Sequence, residues 1–202
     1  MNKAVIARRA LVGAALFSLV LAGPASAATS TVSALDPASF SPSSKSINLG
    51  DRVNWTNPSA GTRDHTSTSN STNPMAWNFN LDENDASPPT FGVNFTHAGA
   101  FGYHCNIHST MNGSVLVKLK STRIDSNSWT VRMANATAPA GFTHELQRRK
   151  KGTSTWFTVT TTANATARFD APSAGTWQLR GRYKKTGGAI SGFSPTLEVV
   201  TQ

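Results

Sequence analysis

Cys105, His108 and Met111 stand three residues apart in the stretch Phe101-Gly-Tyr-His-Cys-Asn-Ile-His-Ser-Thr-Met-Asn-Gly113, and Cys105 is the only cysteine of the 202-residue chain. A thiolate, an imidazole and a thioether on one short loop form a soft donor set. Such a set suits copper, which cycles between Cu(I) and Cu(II). A mononuclear blue-copper centre needs two histidines and a cysteine in a trigonal arrangement with a weak axial methionine. The loop carries three of these four donors, so a second histidine has to come from another segment.

The flanking residues show what holds the loop. Phe101, Tyr103 and Cys105 alternate with Gly102 and His104, and Val115, Val117 and Leu119 alternate after Gly113. This is strand periodicity, so the loop joins two strands and Cys105 shares the apolar face of Phe101 and Tyr103. Four histidines remain. His97 precedes the Cys105 strand in a His97-Ala-Gly99 turn, roughly 20 Å from the sulfur along an extended chain. His104 neighbours Cys105 but projects to the opposite face. His144 falls in the second half of the chain. His65, in Arg63-Asp-His-Thr66, is left as the fourth ligand.

Cys105-x-x-His108-x-x-Met111, with His65 forty residues upstream, resembles the plastocyanin/amicyanin branch of the cupredoxins over about residues 36–120. The short cysteine-to-methionine spacing is more like amicyanin. Asp51-Arg-Val-Asn-Trp-Thr-Asn57 and Gly113-Ser-Val-Leu-Val117 are also similar to that branch, whereas Ile107 and Ser109 stand where relatives often carry proline. The resemblance implies a Greek-key β-sandwich and one type 1 copper held by His65, Cys105, His108 and Met111. It also implies an apolar surface patch beside the second histidine, with Ile107, Met75 and Pro74 as candidates. Asp64 and Thr66 flank His65 and are candidates for hydrogen bonds behind the ligands.

Residues 1–27 read as a signal peptide. Lys3, Arg8 and Arg9 form a basic start, Ala10 to Ala22 an apolar run, and Ala25-Ser-Ala27 a cleavage motif. The expected location is therefore outside the cytoplasm: secreted, periplasmic or associated with the cell envelope, with no transmembrane segment in the mature chain. One cysteine cannot form a disulfide within the chain, and a leftover thiol in an exported protein calls for an explanation such as a metal.

The remaining length suits two domains, 28–120 and 121–202. Charge divides them. Residues 29–120 hold five Lys/Arg against six Asp/Glu, and residues 121–202 hold eleven against four. The pI of about 10.3 therefore comes from the second half.

Both halves read as all-β. In the first, Ile47 and Leu49 alternate up to Gly50-Asp51, with Val53 and Trp55 after it, which predicts a hairpin. Residues 57–72 are rich in Ser, Thr, Asn and Gly and read mostly as loop. Trp77-Phe79-Leu81 and Phe91-Val93-Phe95 predict two more strands, separated by a break at Asp82-Glu-Asn-Asp85 and Pro88-Pro89. In the second half, alternation predicts strands around Trp129, Phe142, Trp156, Phe169, Trp177 and Leu197. Gly175-Thr-Trp-Gln-Leu-Arg-Gly-Arg-Tyr183, Ser191-Gly-Phe-Ser-Pro195 and Phe142-Thr-His-Glu-Leu-Gln-Arg148 resemble strands of a fibronectin type III domain, an immunoglobulin-like β-sandwich. Arg180, Arg182 and Lys184 share one face of their strand, and Arg149 lies outward on the neighbouring one. This predicts either a solvated face or a contact for an anionic cell-envelope surface.

Together these features predict an exported blue-copper protein that passes single electrons to or from a redox partner or small donor/acceptor. The alternative is copper binding or handling without a dedicated partner. Enzymatic activity is not expected, because the chain lacks the His-x-His pairs of a trinuclear copper cluster, a second cysteine and a Gly-x-Ser-x-Gly motif. Nothing points to nucleic acid.

Overall fold

A computed structural model describes residues 27–58, 63–82 and 91–201; the basic and apolar run expected to be a signal lies outside them, as does most of the Asp82–Pro89 break. Sixteen strands run along these residues, with no helix among them. They are β1 (Thr29–Leu35), β2 (Ser39–Ser41), β3 (Ser44–Ile47), β4 (Arg52–Thr56), β5 (His65–Ser69), β6 (Asn78–Leu81), β7 (Gly92–Asn94), β8 (Gly99–His104) and β9 (Asn112–Val117). Then come β10 (Lys120–Arg123), β11 (Ser128–Arg132), β12 (Phe142–Lys150), β13 (Phe157–Thr162), β14 (Thr166–Asp170), β15 (Thr176–Lys185) and β16 (Leu197–Val200).

The first nine strands form two facing sheets, ordered β2-β1-β4-β7 and β3-β9-β8-β5-β6. Alternating residues of both sheets meet in one core that holds Val32, Val53, Trp55, Phe95, Phe101, Tyr103 and Val115. The last seven strands form a second sandwich, ordered β10-β11-β14 and β13-β12-β15-β16, around Trp129, Val131, Leu146, Phe169 and Leu179.

One expectation for the first half is corrected. Ile47-Leu49 and Val53-Trp55 do not form a hairpin: β3 pairs in parallel with β9 and β4 in parallel with β1, so the chain crosses between sheets at Gly50-Asp51. Alternation shows that two strands exist but not that they pair. The turn is fastened by Gly50, whose φ of 96° suits glycine. Asp51 fastens it too, its carboxylate accepting from the Asn48 and Ala28 amides. The polar segment 57–72 is mostly turn and irregular among its described residues, as expected, but it is not loop throughout. It contains β5, whose Thr residues satisfy strand sterics and whose first three side chains are buried between β6 and β8.

The sandwiches touch at the start of β8. Ala98 and Asn135 donate backbone hydrogen bonds to Met133 and Thr96, and Ala100 and Gly192 exchange a reciprocal pair at 2.8 Å. A Cβ on Gly192 would sit 2.9 Å from that of Ala100, so only glycine permits this approach. Cys105 follows the other end of β8, which places the junction about 20 Å from the sulfur.

Candidate metal centre

β8 and β9 pair from Gly99↔Val117 to His104↔Asn112, so the ladder closes just below the Cys105–Met111 loop. Within the loop the Met111 amide donates to the His108 carbonyl and the Cys105 amide to the Met111 carbonyl, each at 3.0 Å. Those bonds curl the loop over the end of the sandwich. Cys105 and Met111 are each 1 % exposed and belong to the first core, and His108 is half-buried.

β5 runs beside β8 and delivers His65, also 1 % exposed, to the same rim. One donor atom each from His65, Cys105 and His108 lies within 4.8 Å of the others. Cys105 Sγ is 3.6 Å from His108 Nδ1, and the two imidazole centroids are 4.9 Å apart. The loop thus brings together Cys105 and His108, β5 adds His65, and Met111 is tied to Cys105 and His108 through its backbone. The remaining histidines lie elsewhere: His104 bonds to Asn70 and Asn106, while His97 and His144 lie at the junction between sandwiches.

The donors suit a soft cation. Neither ring nitrogen of His65 has a hydrogen-bond partner of good geometry among the described residues, although both are buried. Burial holds the His65 pKa below its ordinary value; the nearby Asp36 carboxylate opposes this and His108 adds to it. The ring is therefore neutral at pH 7, and a neutral imidazole has a lone pair for a metal. A buried thiol at hydrogen-bond range of an imidazole, beside a second buried imidazole with no well-formed hydrogen bond, is a costly arrangement unless a cation joins them.

Hydrogen bonds behind these donors tie the two strands together. The Thr66 amide donates to Cys105 Sγ at 3.3 Å, and Thr66 Oγ1 accepts from the Asn106 amide at 2.8 Å. Asn106 Nδ2 donates to Thr68 Oγ1 at 2.9 Å. The Thr66 amide bond withdraws electron density from the sulfur, a recognised control on metal potential. Sequence reasoning missed Asp36, whose Oδ1 lies 3.4 Å from His65 Nε2. Asp36 follows β1 in the opposite sheet, and no spacing rule links it to His65. Ile107, next to His108, is 55 % exposed, whereas Met75 packs against the core.

On the second sandwich, the four cations expected on one face are there, but they are largely engaged. Arg182 and Lys184 both bond to Glu145 at 2.9 Å, Arg180 to Gln147 and Arg149 to Gln178. Trp156 and Phe193 stack between the guanidiniums, with Arg180 4.0 Å from one ring centroid and 3.8 Å from the other. Only Arg149 and Arg180 have neutral amides as partners, so the uncompensated charge concentrates there.

No family model matches the chain, and no curated protein does. Among solved structures it is similar to a pseudoazurin from Sinorhizobium meliltoi, with 18% identity over 45% of this chain and 73% of that one, TM-score 0.36. A mutant of amicyanin in the Cu(I) state gives 20% identity over 45% and 82%, TM-score 0.35. A purple cupredoxin from Nitrosopumilus maritimus gives 25% over 44% and 98%, TM-score 0.32. These structural neighbours are cupredoxins.

Proposed function

We propose that this chain is a one-electron carrier that holds a single copper ion between His65, Cys105 and His108, with Met111 as the weak fourth ligand. The observation that carries it is the cluster of two imidazoles and a thiol with donor atoms within 4.8 Å, His65 and Cys105 buried and His108 half-buried, one imidazole lacking any hydrogen-bond partner of good geometry. Bound copper supplies a Cu(I)/Cu(II) couple. The chain supplies a compact site. The Cys105–Met111 loop is pinned by β8 and β9, His65 is pinned by β5, and the Thr66 amide bonds the sulfur. Ligands fixed in this way move little when the metal changes charge, which keeps electron exchange fast.

Half-buried His108 beside exposed Ile107 offers a partner the shortest way in, and the second sandwich leaves that end clear because it attaches at the far end of β8. We assign residues 28–120 to the cupredoxin-like unit. Residues 121–202 form a fibronectin type III-like unit, since three strands β10-β11-β14 face four strands β13-β12-β15-β16. Export through residues 1–27 belongs to the same proposal. No helix among the described residues is long and apolar enough to cross a membrane.

Copper reconstitution followed by absorption and paramagnetic resonance tests this reading. One equivalent of Cu(II) should give an intense thiolate-to-copper band that Cys105→Ser abolishes. Stopped-flow oxidation and reduction should then be fast. A colourless protein whose thiol still alkylates would overturn the proposal. A coloured site that loses metal readily and exchanges electrons slowly would favour copper handling instead.

A further inference from the structure

We infer that Asp36 is a positioning residue for the metal site: its carboxylate holds the proton of His65 on Nε2, so that the Nδ1 lone pair is the one offered to the metal. His65 is 1 % exposed, and neither ring nitrogen has a partner of good hydrogen-bond geometry. A neutral imidazole carries its single proton on one nitrogen, and the neighbours of each nitrogen decide which. Asp36 Oδ1 lies 3.4 Å from Nε2, with the Asp36 side chain 30% exposed and His65's wholly buried. A carboxylate is acceptor-only, so it favours N–H at the nitrogen it faces and disfavours a lone pair there. The other nitrogen is then the metal-binding one by default.

The contact also crosses the sandwich. Asp36 follows β1, in the sheet β2-β1-β4-β7, and His65 opens β5, in the sheet β3-β9-β8-β5-β6. The turn after β1 thereby reaches over the rim and orients a ligand that the cysteine loop does not control. His108 has no such carboxylate within ion-pair distance among the described residues, so the two imidazoles are made unequal. A carboxylate behind an imidazole makes it a stronger donor and favours the more highly charged metal ion. That second consequence rests on the copper reading; the tautomer does not.

Two measurements decide the matter. In the metal-free protein, long-range proton–nitrogen correlation spectra should show His65 as the Nε2–H tautomer; an Nδ1–H tautomer overturns the inference whatever the metal does. In the copper-loaded protein, Asp36→Asn should weaken Cu(II) binding about 10- to 100-fold, with Cu(I) binding much less affected. A tenfold difference between the two oxidation states raises the one-electron potential by about 59 mV. Equal losses in both states, or no loss, overturn it. A wild-type protein that binds no copper defeats the carrier reading but leaves the tautomer result standing.

Discussion

Gly113 stands where the backbone of β9 crosses the Tyr103 ring, and a Cβ there would overlap the ring's Cζ and hydroxyl. Tyr103 is wholly buried and sits two residues before Cys105, so its ring cannot yield without disturbing the metal loop. Gly113→Ala should therefore cost about 1–3 kcal/mol, measured as a lower urea midpoint at unchanged m. It should also broaden the copper signals, because the displaced ring presses on the strand that ends in Cys105. The same residue scale separates legible from illegible chemistry. Cys105, His108 and Met111 could be picked from their spacing because one short loop fixes their relations. Asp36 and the Thr66 amide could not, because their contacts with His65 and Cys105 span about thirty to forty residues and exist only once the sheets have met.

At the scale of elements, the junction is titratable. His97 stacks on Tyr183 at 3.8 Å with 3° between ring planes, and its Nδ1 lies 3.0 Å from His144 Nε2. Two imidazoles at that distance share one proton between them, one donating and one accepting. Burial, with His144 adding, pushes the His97 pKa down to about 4, and burial lowers that of His144, although its Asn164 hydrogen bond opposes this. The unfolded chain takes up these protons below about pH 6.5, whereas folded His97 resists until near pH 4. Stability from this pair is thus complete above pH 6.5 and is lost as the pH falls toward 4. His97 contributes at most about 3 kcal/mol of the change. Urea midpoints at pH 7 and pH 5 should differ less in His97→Gln than in the wild type; equal differences would remove the junction from the account. Alternation identified most strands around this region, yet the β3–β4 crossing escaped it. Periodicity reports which face of a strand is buried, not which neighbour it pairs with.

At the scale of the whole molecule, charge and chemistry are kept apart. The near-neutral first sandwich carries the candidate metal centre at one end, and the basic second sandwich attaches at the other. Retention on an anionic matrix should fall more for Arg149→Gln with Arg180→Gln than for Arg182→Gln with Lys184→Gln. The latter two already share Glu145, whose removal from water raises its pKa but whose bonds to Lys184 and Arg182 bring it below its ordinary value overall. The salt concentration needed for elution measures this directly, since exposed charges are screened within about 8–10 Å at moderate ionic strength. Equal effects of the two pairs would show that pairing within the sheet does not set the outer field.

The sequence alone determined the all-β class, the division into a near-neutral and a basic half and the donor types gathered near Cys105, because composition, period-two alternation and three-residue spacing are local properties. Only the tertiary structure decided that His65 arrives on a buried polar strand, that Asp36 stands behind it and that most of the basic face is already paired. Each of those depends on contacts between segments far apart in the chain, and such contacts are set by sheet packing, which no short-range pattern encodes.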